Sequence, residues 1–272
     1  MSDFTPWTPA DAGAHIAVPR EFDDKYSRGV LGIVTGSDRY PGAAVLGVEA
    51  ALRTGLGMVR YLGPERATDL VLQRRPEVVT SNGRVQAWLA GSGMDHEDRD
   101  AEVLAFLGTA LEQDVPVVLD GGTLDFVDRA TGPVVVTPHF RELGRLMGVD
   151  AGEIAANPAA WARRAAGELH ATVLLKGHVT YVAGLDTCLT VSEAPSWLAT
   201  AGAGDALAGI LGALVATHSS DIVADAALMA RLAATAAFVH GRAAARASSG
   251  GPLTILDLCA AIPATVAEIV SP

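Results

Sequence analysis

The sequence predicts an α/β fold in which a mostly parallel sheet is covered by helices on both faces. Short apolar runs, typical of buried strands, alternate with segments of helical periodicity from residue 30 to residue 191. Glycines or polar residues follow many of these runs and indicate loops at the strand ends. After residue 204 the pattern contains helices only, so the last part of the chain is expected to close the domain.

Strands and helices can be assigned in chain order. An apolar run flanked by Gly29 and Gly36 predicts the first strand at 30–35. A helix at 43–53 follows, and a glycine-rich turn ends it before a second strand at 58–62. Further strands are predicted at 86–90, 115–119, 134–136, 172–175, 180–183 and 188–191, and further helices at 97–113, 141–147 and 159–169.

Three helices are predicted beyond the last strand, at 205–216, 221–246 and 256–270. The first is apolar nearly all round and rich in Ala and Gly, which indicates a helix buried against the sheet. Residues 1–20 are expected to form an irregular leader. No linker or repeat divides the sequence, so residues 1–272 are expected to form a single domain.

The composition restricts the classes of partner and location. The 272 residues are 50% hydrophobic and 19% charged, which is enough apolar content for a packed core. The net charge is -11 and no basic run is present, so nucleic acids and anionic membranes are poor partners. No export signal is recognisable, and the apolar stretches are shorter than the roughly 20 residues of a membrane helix. A cytoplasmic location is therefore expected.

The strongest functional signal is the segment Thr-Ala-Gly-Ala-Gly-Asp at residues 200–205, just before the buried helix. Its small residues let the backbone turn tightly and direct several N–H groups to one point, where the helix dipole adds positive potential. This predicts an anion hole at Gly202, Ala203 and Gly204. Asp205 is interpreted as a general base that takes a proton from an attacking hydroxyl. The structural alternative is an N-cap that only satisfies free amides.

A second signal is the strand that ends in Lys176-Gly177. It places an ammonium group at a strand end, where ligands bind in open α/β folds. A hairpin with a solvated lysine would explain the same residues. Lys176 is one of only two lysines in the chain, however, and that rarity favours a functional role.

A third signal, Thr137-Pro138-His139, follows the strand predicted at 134–136. The spacing of His139 and Glu142 places both side chains on one face of the first helical turn, where they could share a ligand or a water molecule. As alternatives, Glu142 is a charge partner of the helix N-terminus and His139 is structural.

Three further loops lie at predicted strand ends: residues 36–44, Gly91-Ser92-Gly93 and Asp120-Gly121-Gly122. Each is a weak signal alone, because a flexible turn would explain it. Their common position at the carboxyl ends of strands favours a ligand site there.

The order of these motifs resembles the ADP/ATP-dependent NAD(P)H-hydrate dehydratases of the ribokinase-like superfamily. The matching pieces, over residues 19–270, are the Gly-Ser and Gly-Ala-Ala loop, Gly-x-Gly, Asp-x-x-x-Leu, Thr-Pro-His-x-x-Glu, Leu-Lys-Gly-x-x-Thr and Gly-x-Gly-Asp. The resemblance implies a ribokinase-like three-layer sandwich. Gly-x-Gly-Asp is shared with vitamin and sugar kinases, whereas Thr-Pro-His and the Gly-Ala-Ala loop indicate the dehydratase.

Three pieces differ from the family pattern. Residues 192–197 replace an Asn-x-Thr-Gly-Asn stretch, Asp120-Gly121-Gly122 replaces Asp-Ala-Asp, and Arg28 stands where lysine is common.

The resemblance implies roles for individual residues. Those on the substrate side are Ala43, Gly93, His139 and Asp205. Those on the ADP side, next to the anion hole, are Lys176, Gly177, His178, Val179, Thr180 and Gly204. A divalent ion, expected to be Mg2+, would bridge the nucleotide phosphates, with Glu142 nearby through water.

The implied reaction repairs NADH or NADPH that has been hydrated at the nicotinamide ring. ADP or ATP would phosphorylate the ring hydroxyl of the S-form of NADHX or NADPHX, with Asp205 accepting the proton, and phosphate would then leave. A separate NAD(P)H-hydrate epimerase is the expected functional partner, and a homo-oligomer, a tetramer by the resemblance, is the expected assembly. Two alternatives stay open: a small-molecule kinase that uses the same Asp205, and a catalytically silent nucleotide-binding protein, which the altered segment 192–197 suggests.

Overall fold

The computed structural model describes residues 4–271 of the chain. Within them, nine strands form one sheet: β1 (Thr5–Pro6), β2 (Val30–Val34), β3 (Met58–Tyr61), β4 (Ala87–Ala90), β5 (Val117–Leu119), β6 (Val134–Val136), β7 (Thr172–Leu175), β8 (Thr180–Ala183) and β9 (Cys188–Val191). The α-helices are α1 (Pro9–Ala14), α2 (Pro41–Thr54), α3 (Glu65–Arg74), α4 (Ala101–Leu111), α5 (Phe140–Met147), α6 (Ala151–Ala156), α7 (Pro158–Leu169), α8 (Ala203–Thr217), α9 (Ser219–Ala224), α10 (Leu228–Ser248) and α11 (Ile255–Val270). Short 3-10 helices occupy Gly121–Arg129 and Ser196–Leu198.

The strands lie side by side in the order β1-β9-β8-β7-β6-β5-β4-β2-β3. Neighbours are parallel, except that β8 runs antiparallel to both β7 and β9. The carboxyl ends of β2, β4, β5, β6 and β7 therefore meet at one edge of the sheet. The predicted mostly parallel α/β sheet is confirmed.

Each face of the sheet carries its own apolar core. In β2, Leu31 and Ile33 point into a core shared with α2, α8, α10 and α11, while Val30 and Val34 point into a second core shared with α4, α5 and α7. Successive side chains of a strand point to opposite faces, so a continuous apolar run is buried on both sides. Helix, sheet and helix thus form three layers, as predicted.

Helix α8 packs unusually close to its neighbours because glycines line its contacts. A Cβ atom at Gly209 would lie 2.2 Å from the backbone oxygen of Gly47 on α2, and one at Gly212 would lie 2.9 Å from the Leu31 side chain. Residues 206–216 of α8 are all buried. The small residues that the sequence places here therefore fix α8, and with it the helix N-terminus, against the sheet.

The prediction of an irregular leader at 1–20 is wrong for part of that segment. Thr5–Pro6 pairs with β9 at the sheet edge, and Pro9–Ala14 is a helix. Thr8 and Asp11 form a capping box at the start of that helix, which stabilises six residues that carry little apolar periodicity. Residues 1–3 lie outside the described residues.

Other differences concern short or weakly apolar segments. Helix α3 buries only Ala67 and Val71, so its apolar stripe is too sparse for the sequence to indicate it. The helix predicted at 221–246 is divided between α9 and α10, because the extended backbone of Asp225 interrupts it and the Asp225 carboxylate accepts a hydrogen bond from the Ala227 N–H. No helix among the described residues is long and apolar enough to span a bilayer.

Candidate active site

Four polar side chains follow four neighbouring strands at the carboxyl edge of the sheet. Ser92 comes after β4, Asp120 directly after β5, Thr137 after β6 and Lys176 after β7. Because these strands are adjacent and parallel, their ends bring the four side chains together, and we call them the strand-end cluster. Two of the three weak loop signals, the Thr-Pro-His signal and the lysine signal therefore belong to one site.

Hydrogen bonds hold the strand-end cluster around the Asp120 carboxylate, which is 4% exposed. Lys176 Nζ donates to Oδ1 over 2.9 Å, and Thr137 Oγ1 donates to the same oxygen over 2.6 Å. Ser92 Oγ donates to Oδ2 over 2.8 Å. Burial alone would raise the pKa of Asp120, but the Lys176 ammonium and the two hydroxyls hold that pKa below its usual value.

Lys176 is consequently a fixed cation and not the solvated lysine of the alternative interpretation. Its side chain is 20% exposed, and Nζ also lies 3.6 Å from Glu142 Oε2. Burial would lower the pKa of Lys176, but the carboxylates of Asp120 and Glu142 raise it, so the ammonium stays charged. A Cβ atom at Gly204 would lie 3.5 Å from Nζ, which places the charge against the start of α8.

His139 and Glu142 form a reciprocal cap at the start of α5. The His139 N–H donates to Glu142 Oε2 over 2.7 Å, and the Glu142 N–H donates to His139 Nδ1 over 3.1 Å. This is the helix-terminus arrangement that the sequence left open for Glu142. The loop also lies beside the lysine, because the Lys176 N–H donates to the Pro138 carbonyl over 2.8 Å. The structure thus brings both predicted residues to the site's rim, with the His139 side chain half exposed.

Asp205 is the third residue of α8, and the N-cap is Gly202, whose φ of 91° lies in the left-handed region. The alternative that Asp205 is the N-cap is therefore wrong. No side-chain hydrogen bond joins the Asp205 carboxylate to any residue between 4 and 271. Burial and the negative charge of Asp120 raise the pKa of Asp205 to about 7, although Lys176 opposes them. A carboxyl group with this pKa can accept a proton near neutral pH.

A cavity of about 170 Å³ lies between the lysine loop and the start of α8. Its lining includes Lys176, Gly177, His178, Thr180, Ala203 and Gly204, all of which are predicted ADP-side or anion-hole residues. Val179 lies beside them, since a Cβ atom at Gly177 would be 3.0 Å from the Val179 oxygen. Six of the predicted nucleotide-side residues therefore line one cavity, whereas Val179 and Gly202 are not part of its lining.

The predicted substrate-side residues Ala43 and Gly93 touch each other on the other side of the site. A Cβ atom at Gly93 would lie 2.3 Å from Ala43 Cβ, so any larger residue at 93 would displace the start of α2. Ser37 Oγ donates to the Gly93 carbonyl over 2.8 Å and ties the two loops together. A groove of about 260 Å³ opens beside Ser37.

A divalent cation would find few protein ligands here. Among residues 4–271, no three His, Cys, Asp or Glu side chains are arranged as a metal site. Asp120 is committed to the strand-end cluster, and Glu142 is shared between the α5 cap and Lys176. Mg2+ commonly takes most of its ligands from phosphates and water. A Glu142 oxygen therefore suits only a contact to the ion through one of its bound water molecules.

A family model described as NAD(P)H-hydrate dehydratase matches residues 31–262. The chain belongs to the NAD(P)H-hydrate dehydratase family. The match covers the whole strand-end cluster and Asp205, so the family resemblance drawn from the motifs is confirmed.

One relative is a bifunctional NAD(P)H-hydrate repair enzyme of Mycobacterium leprae, 41% identical over 265 residues, which cover 92% of this chain and 53% of that protein. This chain therefore spans about half the length of that relative. An ADP-dependent (S)-NAD(P)H-hydrate dehydratase of Neisseria meningitidis is 34% identical over 222 residues, which cover 74% of each chain.

Solved structures confirm the fold. The ADP/ATP-dependent NAD(P)H-hydrate dehydratase from Bacillus subtilis, co-crystallised with ATP and Mg2+, superposes with a TM-score of 0.86 at 25% identity, covering 99% of this chain and 100% of that one. A ribokinase-like superfamily protein from Enterococcus faecalis has the same TM-score at 21% identity, covering 99% and 97%. The predicted ribokinase-like sandwich is confirmed.

The sequence did not predict two features of the site. The first is the connection between Asp120 and Lys176, which lie 56 residues apart; the available signal was that each residue directly follows a predicted strand. The second is His240 on α10, which lines the cavity. The pair His240-Gly241 resembles part of the closing helices of the family, but that resemblance gave His240 no role in the site.

Proposed function

We propose that this protein catalyses the ADP- or ATP-dependent dehydration of the S-form of NADHX or NADPHX, the hydrated forms of NADH and NADPH. One observation carries the proposal: Asp205, with its pKa raised to about 7, stands without a hydrogen-bond partner among the described residues at the amide-rich start of α8. The family description and the activities named for its relatives give the substrate class.

In the proposed first step, Asp205 accepts the proton of the ring hydroxyl. The hydroxyl oxygen forms a bond to the terminal phosphorus of ADP or ATP, and the bond to the leaving phosphate oxygen of the nucleotide breaks. Phosphate then leaves with the electrons of the carbon–oxygen bond while the ring nitrogen donates its lone pair. Loss of a proton from the neighbouring ring carbon restores the dihydropyridine, so the products are NAD(P)H, phosphate and AMP or ADP.

The other residues stabilise the charge that moves in this step. At the start of α8, where the transferred phosphoryl group would lie, the N–H groups of Gly202 and Gly204 have no backbone partner among the described residues, while the Ala203 N–H donates to the Thr200 carbonyl over 3.4 Å. The Lys176 ammonium faces the same point and is held there by Asp120. Because Asp120 is already ionised and hydrogen-bonded, it orients Lys176 and leaves proton transfer to Asp205.

The nucleotide is proposed to occupy the cavity beside the lysine loop, and the nicotinamide end of the substrate the side of Ala43, Gly93 and His139. Mg2+ would neutralise the nucleotide phosphates, held mainly by those phosphates and water, with Glu142 as the nearest outer contact. A homo-oligomer and a cytoplasmic location remain predictions.

A separate epimerase activity is proposed to supply the S-form of the substrate. The M. leprae relative is named a bifunctional repair enzyme, and this chain spans about half of it, which supports a second activity acting on the same metabolite.

A kinase for a vitamin precursor or sugar would use the same anion hole and Asp205. The geometry needed for phosphoryl transfer is common to the kinase and the dehydratase. The family description and the names of the relatives favour dehydration.

Product analysis tests the proposal. Hydrated NADH is incubated with the protein, Mg2+ and ADP or ATP, and absorbance is followed at the reduced-nicotinamide band. Recovery of NADH supports dehydration, whereas a stable phosphate ester would identify a kinase. Nucleotide binding without either product would identify a silent binding protein.

A further inference from the structure

Gly241 on α10 lies in close contact with the chain at residues 193–194. A Cβ atom at Gly241 would lie 2.8 Å from Glu193 Cβ, 2.9 Å from the Ala194 nitrogen and 2.9 Å from the Glu193 carbonyl carbon. Real Cβ atoms essentially never come within 3.0 Å of another heavy atom, and two of these three atoms belong to the backbone. Only a residue without a Cβ atom therefore lets the two pieces of chain lie this close.

This contact is part of the wall of the cavity of about 170 Å³ beside the lysine loop, which we call the nucleotide cavity. Glu193 and Ala194 line that cavity, and so do Ala237 and His240 of α10. Ala237 and Gly241 are four residues apart in one helix and lie on the same face of it. We call residues 193–194 the wall segment, because they complete the lining where α10 ends its contribution.

The wall segment can be displaced more easily than the helix. Residues 192–195 belong to neither a strand nor a helix, whereas β9 ends at Val191 before them and the buried Leu198 follows them. In contrast, α10 has 21 residues, and Phe238 and Val239 hold it in the core next to the contact. A side chain at position 241 would therefore push the wall segment away from α10 and open the nucleotide cavity.

One ion pair also joins the wall segment to α10. Arg242 Nη1 lies 3.7 Å from Glu193 Oε2, and the two side chains are 44% and 32% exposed. Arg242 is shared with Glu268, since its Nη2 lies 3.2 Å from Glu268 Oε1. Exposed ion pairs stabilise a structure little, because water screens the charges. The close packing at Gly241 therefore determines the position of the wall segment more than the ion pair does.

We propose that Gly241 is a positioning residue for nucleotide binding, because its missing side chain lets the wall segment lie against α10 and close the nucleotide cavity. A nucleotide in the cavity then contacts the wall segment, which belongs to the stretch at 192–197 that departs from the family pattern. This inference rests on the proposed function, since it takes the cavity to be the nucleotide site.

Calorimetric titration with ADP and steady-state dehydration kinetics compare the wild type with Gly241→Ala. We expect ADP to bind about tenfold more weakly and the KM for ADP to rise accordingly, because the displaced wall segment loses its contact with the nucleotide. The kcat at saturating ADP and the KM for the hydrated dinucleotide should stay within about twofold of the wild type. A glycine that served only the fold would lower the melting temperature and leave the KM for ADP unchanged.

Two further variants serve as controls. Gly167 also lies within a helix, α7, but a Cβ atom there would meet nothing within 4 Å, so Gly167→Ala should bind ADP as the wild type does. Arg242→Met removes the exposed ion pair and should weaken ADP binding by at most about twofold. A loss in Arg242→Met as large as that in Gly241→Ala would assign the position of the wall segment to the ion pair and overturn the role of Gly241.

Hydrogen exchange of the wild type tests the inference without any variant. Saturating ADP should slow exchange in a peptide that covers residues 192–198, and should leave unchanged the turn before α10, whose Ala226 and Ala227 line a different cavity. Unchanged exchange at 192–198 in protein that binds ADP would overturn the inference, whether or not Gly241→Ala folds. Equal ADP affinity of the wild type and a folded Gly241→Ala would also overturn it, while the proposed function would stand. Failure of the wild type to bind ADP would remove both.

Discussion

Glu49 and Asp205 lie on the neighbouring helices α2 and α8, and their carboxyl groups have opposite environments. Glu49 is fully buried and bonded by Arg53, Arg74 and Arg75. Burial alone would raise the pKa of Glu49, but the three guanidinium groups lower it to about 2. Asp205 has no side-chain hydrogen bond among the described residues, and its pKa is raised to about 7.

The difference between the two pKa values separates a carboxylate that stabilises the fold, Glu49, from one that is proposed to react, Asp205. Glu49 joins α2 to α3 with all its charge compensated, so it stabilises the fold and has no proton to exchange near neutral pH. Asp205 lies beside a second carboxylate, Asp120. The Asp120 oxygens accept the hydrogen bonds of the Lys176 ammonium and of the Thr137 and Ser92 hydroxyls. The fold thus leaves the charge of one carboxylate under-compensated at the place where the proposed reaction needs a base.

The largest expected effect is on turnover in Asp205→Asn. The amide keeps the shape of the side chain but cannot accept the hydroxyl proton, so the dehydration rate should fall by about 100-fold to 10,000-fold with ADP affinity retained. Dehydration rate and ADP affinity are measured on the same preparation. In the wild type the rate should fall about tenfold per pH unit below pH 7, as Asp205 becomes protonated. A variant that keeps most of its activity would contradict the assignment.

Lys176→Met should weaken ADP binding by about tenfold or more, and should weaken binding of the hydrated dinucleotide less. It should also cost about 3–5 kcal/mol of the free energy of unfolding, because Asp120 is left buried without its cation.

The double variant Asp120→Asn with Lys176→Met separates these two effects. Stability should largely return, since the unpaired charge is gone, while ADP affinity stays low. Lys25→Met, at the chain's other lysine, which is exposed, is the control and should change neither quantity. Unchanged ADP affinity in Lys176→Met would remove Lys176 from the nucleotide side.

Glu49→Gln should reduce the free energy of unfolding by about 3 kcal/mol at pH 7 without changing the dehydration rate of the folded protein. Because the pKa of Glu49 is lowered, its contribution is present above its ordinary value and is lost as the pH falls towards 2. Denaturant unfolding at several pH values should therefore show the two proteins converging in acid. Glu168→Gln, in an exposed pair with Arg164, is the control and should cost at most about 0.5 kcal/mol.

The smallest expected effect is a gain in stability for Asp205→Asn. A raised pKa means that the ionised group opposes folding, so the wild type loses stability as the pH rises from about 4 to about 7. Melting temperatures should show the variant about 1–2 kcal/mol more stable at pH 8, after allowance for partial solvation, and nearly equal to the wild type at pH 4. A variant less stable than the wild type at pH 8 would mean that Asp205 supports the fold as Glu49 does.

The sequence by itself determined most strand and helix positions, because apolar periodicity is local. It also determined which residues lie at strand ends, and hence that Lys176 and His139 share one edge of the sheet. The sequence did not predict helix α3 or the structure of the leader. The apolar stripe of α3 is sparse and the edge strand has two residues, so each leaves little pattern to detect.

Only the tertiary structure decided how the charges are paired. Strands β5 and β7, on either side of β6, bring Asp120 and Lys176 within 2.9 Å of each other, and burial together with the negative charge of Asp120 raises the pKa of Asp205 to about 7. His240 lines the cavity because α10 packs against α8 through contacts between residues far apart in sequence. Burial and neighbouring charge set proton affinity, and both are properties of three-dimensional proximity that residue order alone does not contain.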